Sequence, residues 1–444
     1  MKRIGLLATI ILLFSFAWAQ ETVTLRAWTI GPDDPSITRM TNLEAAVEYL
    51  NAALEAEGAD VRVALEAEFD TTDWDPYLRR VLLAFQSNNA PDILQASTAL
   101  IGTWAPAGFI APLDEYVSQF DQFDDVVETL WNSVTFDGQI YAIPQDTEAR
   151  PLYFNKTLLA ELGWSEEEIN GLPERIVTGE FTWDDMLTTA QQAVEAGVVE
   201  AGNGYFHRPV NGPDFAMWYR AFGGEVFDDS SEQLVFSSEA ALRYFTWLRN
   251  AIDADVLDEN RLNNDWQLYH QPVTAGEVLF VSGGTWNWAE WSNQYVADRG
   301  GQEWLFENFG FAPQPAWQEG GEPITLSNPQ GYMVSASSEH QDLAARLIAH
   351  TTVPEFDALH AVMSAHLPVL TTTPASLDDP FLQQVSYLLE YSTFAPIHPG
   401  YATWQDVLFQ SVSAVETGDL TPEAAVELAV AQMQRQLAEQ VVIR

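Results

Sequence analysis

The chain has 444 residues, 47% of them hydrophobic, with 64 acidic side chains against 19 basic ones and a formal net charge of −45. That balance makes nucleic acid and anionic membrane surfaces poor partners, since both are bound through clustered lysine and arginine. The length provides for two or three domains, each large enough to fold alone, and without cysteine their cores must hold without disulfides.

Lys2 and Arg3, an apolar run over residues 4–16 and the small-x-small site Ala17-Trp18-Ala19 read as a secretory signal spanning residues 1–19. The run is too short for a membrane span. A lipoprotein anchor needs a cysteine at the cleavage site, so a soluble mature chain starting at Gln20 is expected. Losing Lys2 and Arg3 from the 19 basic residues leaves 17 against 64 acids, a charge of −47.

Residues 23–28 alternate like a strand, Asp33 to Ser36 form a turn, and residues 43–56 carry apolar side chains at helical spacing. Residues 61–69 alternate again. Asp75-Pro76-Tyr77 opens a helix that runs through Phe85, with proline in the first turn. Residues 92–95 make a short third strand. Strand, helix, strand, helix, strand at these lengths is a parallel α/β pattern. A further strand is expected over residues 140–144. Helices dominate from Phe181 to about Asp255, the first capped by Thr182 with Asp185 three residues later. Gly283-Gly284 and Gly300-Gly301 mark loops. Residues 325–334 are strand-like and 342–349 helical, and Thr421-Pro422 opens the last helix. No flexible linker separates two independent halves, which fits lobes between which the chain crosses more than once.

Two segments far apart carry the chemistry. Residues 137–156 place Asp146, Glu148 and Arg150 just beyond an apolar run, and residues 281–293 place Trp286, Trp288 and Trp291 after a pair of glycines. Carboxylates accept from sugar hydroxyls, a guanidinium donates to them, and an indole packs against the C–H face of a sugar ring. No Gly-x-Ser-x-Gly elbow, His-Glu-x-x-His pair or Walker-type loop occurs, so nucleophilic, zinc and ATP chemistry have no support. No catalytic residue, metal or cofactor is expected. The rival class is a secreted glycoside hydrolase, which needs two carboxylates flanking one bond; among 64 acids no pair stands out.

Six blocks in order carry a resemblance: residues 23–28, Asn89-Ala90-Pro91-Asp92-Ile93, residues 107–114, residues 137–156, Ala221-Phe222-Gly223-Gly224, and residues 283–293 with their Gly-x-Trp-x-Trp. Together they resemble the extracellular solute-binding proteins of bacterial ABC importers, the carbohydrate-binding family that includes maltose-binding protein. The resemblance implies an α/β, two-lobed periplasmic binding protein fold with discontinuous lobes and a hinge. Residues 20–146 plus 331–373 would form the N-terminal lobe and 147–330 plus 374–444 the C-terminal lobe, with crossovers near 146–147, 328–330 and 372–374. It further implies a monomer in the periplasm that is not an enzyme. Such a receptor captures a mono-, di- or oligosaccharide by hinge closure and hands it to an inner-membrane permease with its ATPase.

Residue by residue, the resemblance assigns Glu148 to the family's hydroxyl-binding acid and Trp286 to its stacking tryptophan. Trp404 falls where the family often has a second platform. Arg150 replaces an apolar residue of the family pattern, and either donates to the ligand or holds Glu148. Asp146 precedes them in the same loop, and Trp288 belongs to the wall or the core. Arg208, Asn211 and Asp214 lie in a cleft loop whose usual aromatic is missing. Ser97 stands in a first-lobe loop that lacks the family's tryptophan and Asp-Arg pair; Trp74 is a replacement ring. Arg150 and Arg208 keep open a second reading in the same fold, an anionic ligand such as a uronate or sugar phosphate.

Overall fold

The first two strands follow from their alternation, and the third is a short, almost wholly buried run. The computed structural model describes residues 20–444 apart from 34, 70, 72, 263–264 and 374–376, so the expected signal lies outside the described residues, as does Pro374 of the third expected crossover. β1 (Glu21–Thr29) pairs in parallel with β2 (Val61–Phe69) along its whole length, and with β3 (Ile93–Ser97) at its end. The helix between β1 and β2 spans Ile37–Ala56 and so begins before the expected Leu43. Its first two turns turn Thr38, Arg39 and Asn42 inward, and those polar side chains hide the apolar period there. The expected strand over 140–144 is split. Gln139–Ile140 forms a hairpin with Thr135–Phe136, and β4 (Ile143–Asp146) joins the sheet.

A second sheet follows in the chain. It is built from β5 (Leu152–Asn155), β6 (Tyr205–Phe206), β7 (Phe280–Ser282) and β8 (Phe309–Ala312), in the order β8-β5-β7-β6. β5 runs antiparallel to both neighbours, and every residue of it is buried. Helices Trp183–Glu195, Ser238–Asp253, Tyr401–Glu416 and Pro422–Leu437 pack into one core with this sheet. Much of the tryptophan surplus is spent there. Trp183 meets Trp247 edge-on at 4.8 Å, and the Trp247 indole donates to the Trp183 carbonyl at 3.0 Å.

β9 (Thr325–Ser327) and β10 (Gln330–Val334) replace the single strand expected over 325–334. β10 returns to the first sheet, antiparallel between β3 and β4, giving the order β2-β1-β3-β10-β4. The parallel pattern therefore holds for the first three strands only. β9 pairs instead with β11 (Ser392–Phe394). Asn328 and Pro329 alone separate β9 from β10, and proline interrupts the ladder at that point. Residues 147–151 make the other short crossing, from β4 to β5. Thr147 and Leu367 exchange backbone hydrogen bonds of 3.1 and 2.7 Å, and the Thr147 and Ser327 hydroxyls bond each other. The crossing segments thus lie side by side between two lobes, and one apolar cluster reaches across their expected bounds, taking Ala361, Ala365 and Leu367 together with Tyr153 and Trp288. Among the described residues no helix is long and apolar enough to cross a membrane.

Candidate functional site

A cleft of about 580 Å³ opens between the lobes beside these crossings. Its N-terminal wall includes Ser36, Arg39, Trp74 and Ser97, and its C-terminal wall Glu148, Arg150, Arg208, Asn211, Trp266, Trp286, Tyr295 and Tyr401. Asn328, Gln330 and His366 line it next to the crossings.

The polar floor is a relay of buried charges. Asp146, at the end of β4, accepts from Arg39 Nε at 2.8 Å, with His360 Nε2 3.0 Å from the same oxygen. The His360 Nδ1 and the Thr38 hydroxyl lie 2.6 Å apart, within hydrogen-bond distance. Arg39 Nη2 reaches His366 Nε2 at 3.4 Å. A guanidinium only donates, which puts the His366 proton on Nδ1, an atom with no hydrogen-bond partner among the described residues. Beyond the crossing, Arg150 is held on both sides. Its Nη2 bonds Glu148 and its Nη1 bonds Asp214 at 2.7 Å, and Asp214 also accepts from Arg208. Three guanidiniums thus answer three carboxylates, the arrangement that buried charge requires.

Their acidities differ by environment. Burial works against the Asp146 charge, but Arg39 and the two histidines hold its carboxyl well below the usual range. Asp214 is likewise opposed by burial and brought down to about 2 by Arg150 and Arg208. Glu148 moves the other way. Burial lifts it to about 7 against the pull of Arg150, and Asp146 and Asp214 add to the rise. Burial also pushes His360 and His366 below the ordinary histidine value. Asp146, His360 and His366 are close enough to share a metal ion. The guanidinium of Arg39 already supplies the positive charge there, 2.8 Å from the Asp146 oxygen, and a divalent cation would be repelled by it.

Trp286 opens a short helix, Trp286–Glu290, and not a loop. Its indole folds back over Gly284, where a methyl group would come within 1.8 Å of the ring, so only glycine leaves that space. It stacks on His366 at 5.8 Å and 13°, and the Arg150 guanidinium lies 4.8 Å from its centroid. The ring, the Glu148 carboxyl and the Arg150 guanidinium form one surface of the cleft. Glu148 Oε1 is taken by Arg150, and Oε2 has no hydrogen bond among the described residues.

Of the residues singled out in the sequence, Glu148, Arg150, Trp286, Arg208, Asn211, Ser97 and Trp74 line the cleft. Four do not. Trp404 is 0% exposed, donates to the Val235 carbonyl at 2.9 Å and belongs to the core; Tyr401, one turn earlier on the same helix, faces the cleft and stacks on it. Trp288, two positions from Trp286, points to the other side of its helix, onto Phe381 at 4.5 Å and 6°. Asp146 and Asp214 stand behind the arginines they hold. Beside Glu148, Arg150 and Arg208, two more of these lining residues are engaged within the protein. The Ser97 hydroxyl bonds Asn328 at 2.9 Å, and Asn211 donates to Asp406 at 2.8 Å.

Arg39, His366, Tyr401, Trp266 and Tyr295 were missed. A lone arginine in the otherwise unbasic helix Ile37–Ala56 was a signal for the first. Trp266 at a helix start, stacked on His270 at 5.8 Å, resembled ordinary packing. His366 has no local signal at all.

The family profile of the bacterial extracellular solute-binding proteins matches residues 37–355. An arabinooligosaccharide-binding protein of Halalkalibacterium halodurans is 24% identical over 67% of this chain and 62% of its own length. A maltotriose-binding protein of Pyrococcus abyssi is 22% identical over 73% of this chain and 66% of its own length. The chain thus spans just under two thirds of those relatives. Among solved structures, the maltose-bound MalE3 of T. maritima has a TM-score of 0.72 at 19% identity, covering 93% of this chain and 99% of that one, which shows a shared fold.

Proposed function

We propose that this chain, which belongs to the bacterial extracellular solute-binding protein family, captures a sugar, most naturally a short oligosaccharide, between its lobes and delivers it to an ABC importer. The observation that carries the reading is the surface made by Trp286, Glu148 and Arg150 in an interlobe cleft of about 580 Å³. A volume of that order suits a small organic ligand. The names of the two relatives, an arabinooligosaccharide-binding and a maltotriose-binding protein, support the same class.

In this reading Trp286 stacks on a ring face, Glu148 Oε2 accepts from a hydroxyl, and Trp74 faces them from the N-terminal lobe. The lobes are residues 20–146 plus 331–373 and 147–330 plus 374–444, rotating about the crossing segments to close on the ligand. The protein works as a periplasmic monomer, released there by cleavage of the signal, and its partners are a membrane permease and that permease's ATPase. It performs no turnover. A glycosidase needs two carboxyl groups facing each other across a bond, whereas Glu148 and Asp214 are clamped by one guanidinium.

The test is a thermal-shift screen with maltotriose, arabinotriose and mannotriose, followed by Trp286→Ala on whichever sugar shifts the melting most. A ligand of the folded state stabilises it by about 2.7 kcal/mol at 100 times its dissociation constant. We expect at least one sugar to shift the wild type and the substitution to remove most of that shift while the protein stays folded. No shift with any of the three, or an unchanged shift in Trp286→Ala, would sink the reading.

A further inference from the structure

Asp214 touches no open space in the cleft, yet it governs two of the cations that do. It is 3% exposed, and its Oδ2 accepts from Arg150 Nη1 at 2.7 Å and from Arg208 Nη1. The other terminal nitrogen of Arg150 is taken by Glu148. Arg208 is fixed as firmly. Its Nε donates to the Val210 carbonyl at 2.9 Å, and its guanidinium lies against Gly212, where a methyl group would come within 2.2 Å of Cζ. The loop therefore wraps its own arginine and locks it on the acid that follows.

Arginine binds a carboxylate or phosphate strongly when it offers two parallel N–H groups as a fork. Here Arg150 commits Nη1 to Asp214 and Nη2 to Glu148, and Arg208 commits Nη1 to Asp214 and Nε to Val210, so neither guanidinium keeps two neighbouring unbonded nitrogens to offer as a fork. The remaining charged groups of the cleft wall add no counterweight: Asp33, Asp73, Glu290 and Asp406 are acids, and Arg39 is held by Asp146.

We propose that Asp214 is a specificity-determining positioning residue: by committing Arg150 and Arg208 to itself, it makes the cleft accept neutral sugars and reject sugars that carry a carboxylate or phosphate. The proposal rests on the sugar-receptor reading above and adds to it the charge of the substrate.

Calorimetric titration of wild-type and Asp214→Asn protein tests it with two probes. One is the neutral trisaccharide that binds best among maltotriose, arabinotriose and mannotriose. The other is the same sugar oxidised at its terminal C6 to a uronate. The quantity read is the ratio of the two dissociation constants. Wild type is expected to prefer the neutral sugar by about tenfold or more, and Asp214→Asn to shrink that preference by about tenfold, because the freed guanidiniums can then meet the carboxylate. Wild type is also titrated in about 0.5 M salt, which screens the long-range field of so acidic a chain and leaves contact-range interactions largely intact. The preference is expected to survive there, and this arm decides the matter if Asp214→Asn does not fold. Equal binding of both probes by wild type, a ratio unmoved in Asp214→Asn, or a preference that vanishes in salt would each overturn the proposal. Failure of every neutral sugar to bind would overturn the receptor reading itself and is distinct from any result in the ratio.

Discussion

Glu148 is the residue on which stability and binding pull apart. Burial lifts its carboxyl from 4.5 to about 7, so the folded protein holds the neutral form more tightly than the unfolded chain does. A carboxyl raised in this way contributes stability below its unfolded pKa and loses it as pH rises through the folded one. We therefore expect wild type, measured relative to Glu148→Gln, to lose up to roughly 3 kcal/mol of unfolding free energy between pH 4.5 and 7 and to level off above. Urea titrations across that range check it, and parallel pH profiles for the two proteins would contradict it. Glu148 and Arg150 were legible in the sequence because they stand two residues apart in one loop, where either role assigned to Arg150 brings the pair together. Arg39 and His366 were not, because they reach the same floor from segments more than 100 residues away on either side. The assignment of Trp404 as a second platform failed for a related reason, with Tyr401 facing the cleft instead. Both sit on one helix, and which of them faces the cleft depends on the strand that Trp404 packs against, at Val235.

At the scale of single elements, local signals were the readable ones. Thr182 caps Trp183–Glu195 as its sequence implies, with its hydroxyl accepting from Asp185 N at 3.2 Å and the Asp185 carboxylate accepting from Thr182 N at 2.9 Å. Both halves of that box lie within four residues, so no tertiary knowledge is needed to see it. Removing it by Thr182→Ala is expected to lower the unfolding free energy by about 1 kcal/mol. Sugar affinity should stay unchanged, since the cap belongs to the core of one lobe. Chemical denaturation alongside a sugar titration would reveal a different outcome. Elements defined by a distant partner were harder to read. β9 and β10 look like one strand in sequence, and beyond the break at Pro329 it is their pairing with β11 and with β3 that sends them to different sheets. The sheet is mixed for the same reason, since β10 enters it after the chain has built most of another lobe.

The whole molecule joins two lobes through crossing segments that lie side by side, with the cleft opening next to them. Six short blocks in family order made this architecture readable, although no single block did. The cleft's actual wall was less so, because its charges are balanced by pairs that form only across the crossings. The proposed capture holds a sugar between the lobes and draws them together. Small-angle X-ray scattering, with and without a saturating amount of the sugar found in the thermal-shift screen, tests this most directly. We expect the radius of gyration to fall on binding. A bound sugar that leaves it unchanged would contradict capture by closure.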